Sequence, residues 1–102
     1  MLQYDRSNLT KLRKMTELAP AAMKAFNELS ASAVADGAIP AKYKELIAIA
    51  VALTTQCPYC IDLHCASAKR LGVTDEEITE AALVAAALRA GGSMTHATHA
   101  IS

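Results

Sequence analysis

Cys57-Pro58-Tyr59-Cys60, followed by His64, is the densest reactive chemistry in the sequence. Residues three and four apart share one face of a helix, so a helix that starts at Cys57 carries Cys57, Cys60 and His64 as a single stripe. Two thiols so placed close a disulfide with modest adjustment. The loop enclosed is too small to add much stability through chain entropy. The use of such a bond lies in its being made and broken. Two sources of activation point to different sulfurs. The amides and dipole of the helix N-terminus favour a thiolate at Cys57. His64, one turn beyond Cys60, favours Cys60 by taking its proton or pairing with its thiolate. The residues alone leave that choice open.

Glu45 is the carboxylate out of place. Its helical face continues through Ala48, Ile49 and Ala52, so it points into helix packing and needs a partner there. A proton relay requires such a group. It lies three turns from the corner at Thr54, Thr55 and Gln56, which leaves its meeting with Cys57 or His64 inside one chain unsettled.

Other readings of these residues are plainer. Two cysteines on a helix can be small buried hydrophobes, His64 can be structural, and Glu45 can satisfy a backbone group. Cys65 is about 100° around the helix from His64 and off the stripe, so it reads as packing. The same angle argues against zinc held by Cys57, Cys60, His64 and Cys65, because one regular helix cannot wrap both His64 and Cys65 tetrahedrally around an ion. His96 and His99 lie three apart but suit a polar terminal helix. Asp62, one turn after Tyr59, reads as facing solvent. No metal and no cofactor are expected.

These side chains need helices to position them, and the composition supplies helices. Hydrophobic residues make up 53% of the 102, yet aromatics only 4%. Ala, Leu, Ile and Met therefore carry the apolar content, which suits packed helices better than sheets. Leu9, Leu12, Met15 and Leu18 recur at helical spacing over residues 8–18, until Pro20 opens a second helix with Met23, Phe26, Leu29 and Ala33 on one face. Residues 41–55 are apolar all round after Glu45, as in a central helix enclosed by others. A fourth helix starts near Cys57-Pro58 and stops at Gly72. Thr74 with Glu77 forms a capping box for a fifth, expected over 75–90 and ended by Gly91-Gly92. The small residues of 81–90 mark a helix interface, within or between subunits. The tail forms a last short helix or frays. The expected fold is an all-α domain of five to six helices, one domain over residues 1–102 with its core signature at 40–90.

Ten basic and ten acidic residues cancel. That balance argues against a nucleic-acid partner, which needs clustered Lys and Arg, and leaves self-association little electrostatic resistance. Residues 1–6 hold no apolar core of signal-peptide type. The longest apolar run, 46–53, is far short of the ~20 residues that span a bilayer. A soluble, cytoplasmic protein is expected, and in a reducing compartment a close cysteine pair reads as catalytic or metal-binding. Glutaredoxins also carry CPYC, but after a β-strand; here an apolar helix precedes it, which argues against that fold.

Glu45, Cys57, Cys60 and His64 at this spacing, within KELIAIAVALTTQCPYCIDLHCASAKRLGVTDEEITEA, resemble the core signature of the AhpD-like alkylhydroperoxidase family of the carboxymuconolactone decarboxylase superfamily. The resemblance runs from about Pro20 to the end. It implies a compact helical fold assembled as a homo-oligomer, a trimer or hexamer. It also implies an antioxidant thiol hydroperoxidase or disulfide reductase without metal or flavin. Cys60 would attack the peroxide, Cys57 would resolve the sulfenic acid, His64 would serve as base and Glu45 would complete the relay. A dithiol partner such as a lipoyl-bearing protein would reduce the pair, and a peroxiredoxin is a possible client. One departure stands out: Tyr59 occupies the place where well-studied members have a second histidine. The decarboxylase branch does not depend on the cysteine pair, whose presence argues against that activity. A non-redox binding module on the same scaffold is the remaining alternative.

Overall fold

In the computed structural model, which describes residues 4–102, the chain is all α-helical. The reading of the first six residues falls partly on 1–3 and to that extent lies outside the described residues. A 3-10 segment, Arg6–Lys11, leads into α1 (Leu12–Leu18), α2 (Pro20–Val34), α3 (Ala41–Thr55), α4 (Pro58–Arg70) and α5 (Asp75–Ala97), and a 3-10 turn, Thr98–Ala100, follows. The expected first helix is thus split, with Asp5 capping its 3-10 half by accepting the Ser7 amide at 3.0 Å. Among the described residues no helix is long and apolar enough to cross a membrane.

The core is built by α3, α4 and α5. Glu45, Ile49 and Ala52 of α3, spaced for one helical face, are all buried, as are Ala68 at the end of α4 and Val73 beyond it. Leu46, Cys65 and Ile78 pack around Ile49, Ala68 and Val73. The turn after α4 has a clear cause. Gly72 takes φ +81°, the Val73 amide donates to the Ala68 carbonyl at 3.0 Å, and the Gly72 amide donates to that of Lys69 at 3.1 Å. This is the Schellman arrangement, and its apolar contact is the buried Ala68–Val73 pair.

Two expectations are corrected. α3 is central but not enclosed, since Ile47 and Val51 are each about half exposed. The α1–α2 arm touches the rest only lightly, and Phe26 and Leu29 stand open on α2. The radius of gyration of 16.7 Å includes this lightly packed arm. Gly91-Gly92 does not end α5, which runs on to Ala97. Neither glycine adopts the left-handed conformation that a stop requires. The Thr95 hydroxyl donates to the Gly91 carbonyl at 2.8 Å, and the His96 ring lies 3.0 Å from that of Gly92, so the last turns keep their partners.

The start of α5 matches its sequence signal. Thr74 Oγ1 accepts the Glu77 amide at 3.1 Å, and Glu77 Oε1 accepts the Thr74 amide at 2.9 Å. Thr74→Ala should therefore cost about 1 kcal/mol, a fall in Tm of about 5 °C read by calorimetry. The Thr74 amide, then Lys42, holds the Glu77 carboxyl below its ordinary range. A depressed folded value means that the contribution is present at neutral pH and is lost as pH falls through the carboxylate range. Denaturation midpoints from pH 7 to pH 4 should fall less steeply in Glu77→Gln.

Candidate active site

Gln56 sets the position of the cysteines. It ends α3 in the left-handed conformation, φ +56° and ψ +48°, a backbone state that costs a residue with a Cβ about 1 kcal/mol or more. The chain then doubles back, with the Cys57 amide donating to the Ala52 carbonyl at 3.1 Å. Cys57 becomes the N-cap of α4, and its Sγ accepts the Cys60 amide at 3.2 Å. Pro58 occupies the first helical turn, where its fixed φ fits and its missing N–H leaves no vacancy in the ladder. Cys57 and Cys60 are joined as a disulfide with their Cα atoms 5.3 Å apart. Both are half-buried, so the pair is held by structure yet open to reactants.

The question left by Glu45 is answered within one chain. Its Oε2 lies 2.7 Å from Nδ1 of His64. Antiparallel packing explains the meeting, since about 16 Å of helix separates Glu45 from the corner and about 12 Å separates the corner from His64. A glutamate side chain spans the difference. The carboxylate side chain is 6% exposed and the imidazole 32%, so the pair runs from the core to the surface of the site. With the carboxylate ionised, Nδ1–H is the donor and Nε2 is the nitrogen left to exchange a proton. His64 follows Cys60 by one turn on the same face. The arrangement sets a disulfide at the head of α4 and, one turn on from Cys60, an imidazole held by a buried carboxylate.

Cys65 is the free cysteine among the described residues and packs against the buried cluster. His96 and His99 are exposed, their ring centroids 5.6 Å apart, and no group of three or more His, Cys, Asp or Glu among the described residues is placed to hold a metal ion.

Sequence reasoning missed the neighbours of Tyr59. Asp62 does not simply face solvent: its Oδ2 accepts the Tyr4 hydroxyl at 2.7 Å and pairs with Arg6 Nε at 3.0 Å. That hydrogen bond raises the Tyr4 phenol above its ordinary value. Tyr4 also packs on Tyr59, centroids 4.8 Å apart and tilted. Asn8 Nδ2 donates to the Tyr59 hydroxyl at 2.9 Å. The signal was present in the sequence, as two tyrosines and opposite charges, but a separation of more than fifty residues hides such pairs.

The comparisons with known proteins agree with this fold. The profile of the carboxymuconolactone decarboxylase family matches residues 20–102. A Paracoccus denitrificans protein described as uncharacterized protein 4 in cox locus is 50% identical over 78 residues, 76% of this chain and 70% of its own. An uncharacterized Cupriavidus necator protein is 31% identical over 101 residues, covering 95% of this chain and 89% of its own. A crystal structure from Methanobacterium thermoautotrophicum superposes with a TM-score of 0.80 at 30% identity, over 86% of this chain and 99% of that one. A carboxymuconolactone decarboxylase family protein from Legionella pneumophila gives 0.78 at 36% identity, over 91% and 83%. With a helical fold shared at these identities and a family match over most of its length, this chain belongs to the carboxymuconolactone decarboxylase family.

Proposed function

We propose that the protein is a thiol-dependent oxidoreductase of AhpD-like type that reduces alkyl hydroperoxides through the Cys57–Cys60 pair. The observation that carries this reading is the disulfide at the head of α4 with His64, held by the buried Glu45, one turn behind Cys60. His64 Nε2 takes the Cys60 proton. The thiolate attacks the terminal hydroperoxide oxygen, an S–O bond forms and the O–O bond breaks. The alkoxide takes a proton and leaves as the alcohol. The Cys57 sulfur then attacks the sulfenic acid, forms the disulfide and releases water. Resolution protects Cys60 from irreversible oxidation. A partner dithiol, by family analogy a lipoyl-bearing protein, returns two electrons and two protons and leaves as its own disulfide.

Turnover tests the scheme. An alkyl hydroperoxide should be consumed catalytically with dihydrolipoamide as reductant; consumption no faster than with dihydrolipoamide alone would refute it. A second reading, a reductase for the disulfide of another protein such as a peroxiredoxin, is favoured by Tyr59, which supplies no second imidazole to the relay and is engaged by Tyr4 and Asn8. The family's decarboxylase chemistry does not use a cysteine pair and would survive its loss. The thiol chemistry fits a reducing compartment, and the cytoplasm is our assignment.

The working form in this reading is a homo-oligomer, a trimer or hexamer. Phe26 and Leu29 of α2 and Leu83, Val84 and Leu88 of α5 are all more than half exposed in the single chain, apolar side chains that a second copy would cover. Light scattering should return a multiple of 10.7 kDa, and Leu88→Glu should lower it.

A further inference from the structure

Residues 4–8 lie ahead of residue 20, where the family match begins, and they touch Tyr59, one of the two residues between the cysteines. We propose that this N-terminal arm is a positioning device that stabilises the disulfide form of the Cys57–Cys60 pair, acting through Tyr59. The proposal rests on the redox reading above and adds to it a control on the potential of the same site.

The arm grips the first two turns of α4 at two points. At Tyr59, Asn8 Nδ2 donates to the hydroxyl at 2.9 Å, the Asp5 amide makes a longer approach of 3.5 Å, and the Tyr4 ring packs on the phenol. At Asp62, Tyr4 and Arg6 hold the carboxylate. Residues 5–7 of the arm are held locally, because Asp5 caps the 3-10 turn through both the amide and the hydroxyl of Ser7. Tyr59 has little freedom left, and its backbone is the link between Pro58 and Cys60.

Closing the disulfide fixes residues 57–60 into one conformation, and docking the arm fixes the same residues. Two events that order one segment favour each other, and the coupling is reciprocal. The contacts seen here are made on the disulfide form. The arm therefore shifts exchange toward the disulfide. In that exchange two electrons and two protons pass from a reference dithiol to the Cys57–Cys60 bond, giving two thiols here and a disulfide in the reference. A net hydrogen bond is worth a few-fold in such an equilibrium.

The test is the exchange constant of the full chain against dithiothreitol, with thiols trapped by a maleimide and counted by intact mass. Tyr59→Phe keeps the ring on Tyr4 but removes the acceptor; Asn8→Ala removes the donor from the other side. Each should shift the constant toward the dithiol by about fivefold, or about 20 mV at about 30 mV per decade. The double variant should go little beyond Tyr59→Phe alone, because the Asn8–Tyr59 hydrogen bond is already lost in that variant. Thr74→Ala, which weakens the fold at the far cap, should leave the constant within twofold. Constants within twofold of wild type in both arm variants, a shift toward the disulfide, or an equal shift in Thr74→Ala would overturn the proposal. A wild-type chain that forms no Cys57–Cys60 disulfide in these buffers would overturn the redox reading itself. Wild-type exchange with unshifted variants sinks the arm's role alone.

Discussion

Cys60→Ser should lower the rate of hydroperoxide consumption by at least about 10³-fold, because it removes the sulfur that our scheme makes the nucleophile and a serine hydroxyl stays protonated at neutral pH. Cys57→Ser should behave differently. The first turnover proceeds, Cys60 stops as a sulfenic acid that a dimedone-type reagent captures, and steady-state turnover with a dithiol falls. Cys65→Ser should leave the rate within about twofold, since Cys65 packs on the buried cluster and lies off the reactive face. The three variants together separate nucleophile, resolving thiol and packing residue by rapid mixing with an alkyl hydroperoxide. Equal loss in Cys57→Ser and Cys60→Ser on the first turnover would contradict the assignment of the attacking sulfur.

The second large effect is expected at His64. His64→Ala should slow the attack about 10²-fold at pH 7, the usual worth of a positioned base. The deficit should narrow as pH rises past about 8.5, where an ordinary cysteine ionises unaided. A structural role for His64 would give a deficit that does not change with pH. Glu45→Gln is the finer probe. A glutamine oxygen can still accept Nδ1–H across the 2.7 Å contact, so the ring stays oriented while the charge is lost. About a tenfold loss is expected, with the same approach to wild type at high pH. Pre-steady-state rates from pH 6 to pH 9.5 measure both.

Much of this site was legible in the sequence because its parts are local. Cys60 and His64 are placed by helical spacing with Cys57 as the N-cap just ahead of them, and Pro58 and Gly72 mark the ends of that helix. The Thr74–Glu77 box is likewise a short-range signal. What spacing could not supply was the register of α3 against α4, which depends on how the chain turns at Gln56 and which brings Glu45 to His64. The grip of the arm on Tyr59 and Asp62 was hidden for the same reason at greater range. Gly91 and Gly92 misled because glycine ends a helix only when it takes the left-handed conformation, and a composition signal does not state φ. The apolar girth of α3 points to enclosure by other helices, whereas Ile47 and Val51 face outward in the single chain. Periodicity identifies a surface that needs covering and is silent on what covers it.

The most direct test of the central claim is the mass of the fully reduced protein shortly after one equivalent of an alkyl hydroperoxide is added. The account predicts rapid loss of two hydrogens, with peptide mapping that places the new bond between Cys57 and Cys60 and leaves Cys65 as a thiol. Thiols that persist at the rate of free cysteine, or a crosslink that involves Cys65 in place of either partner, would contradict it.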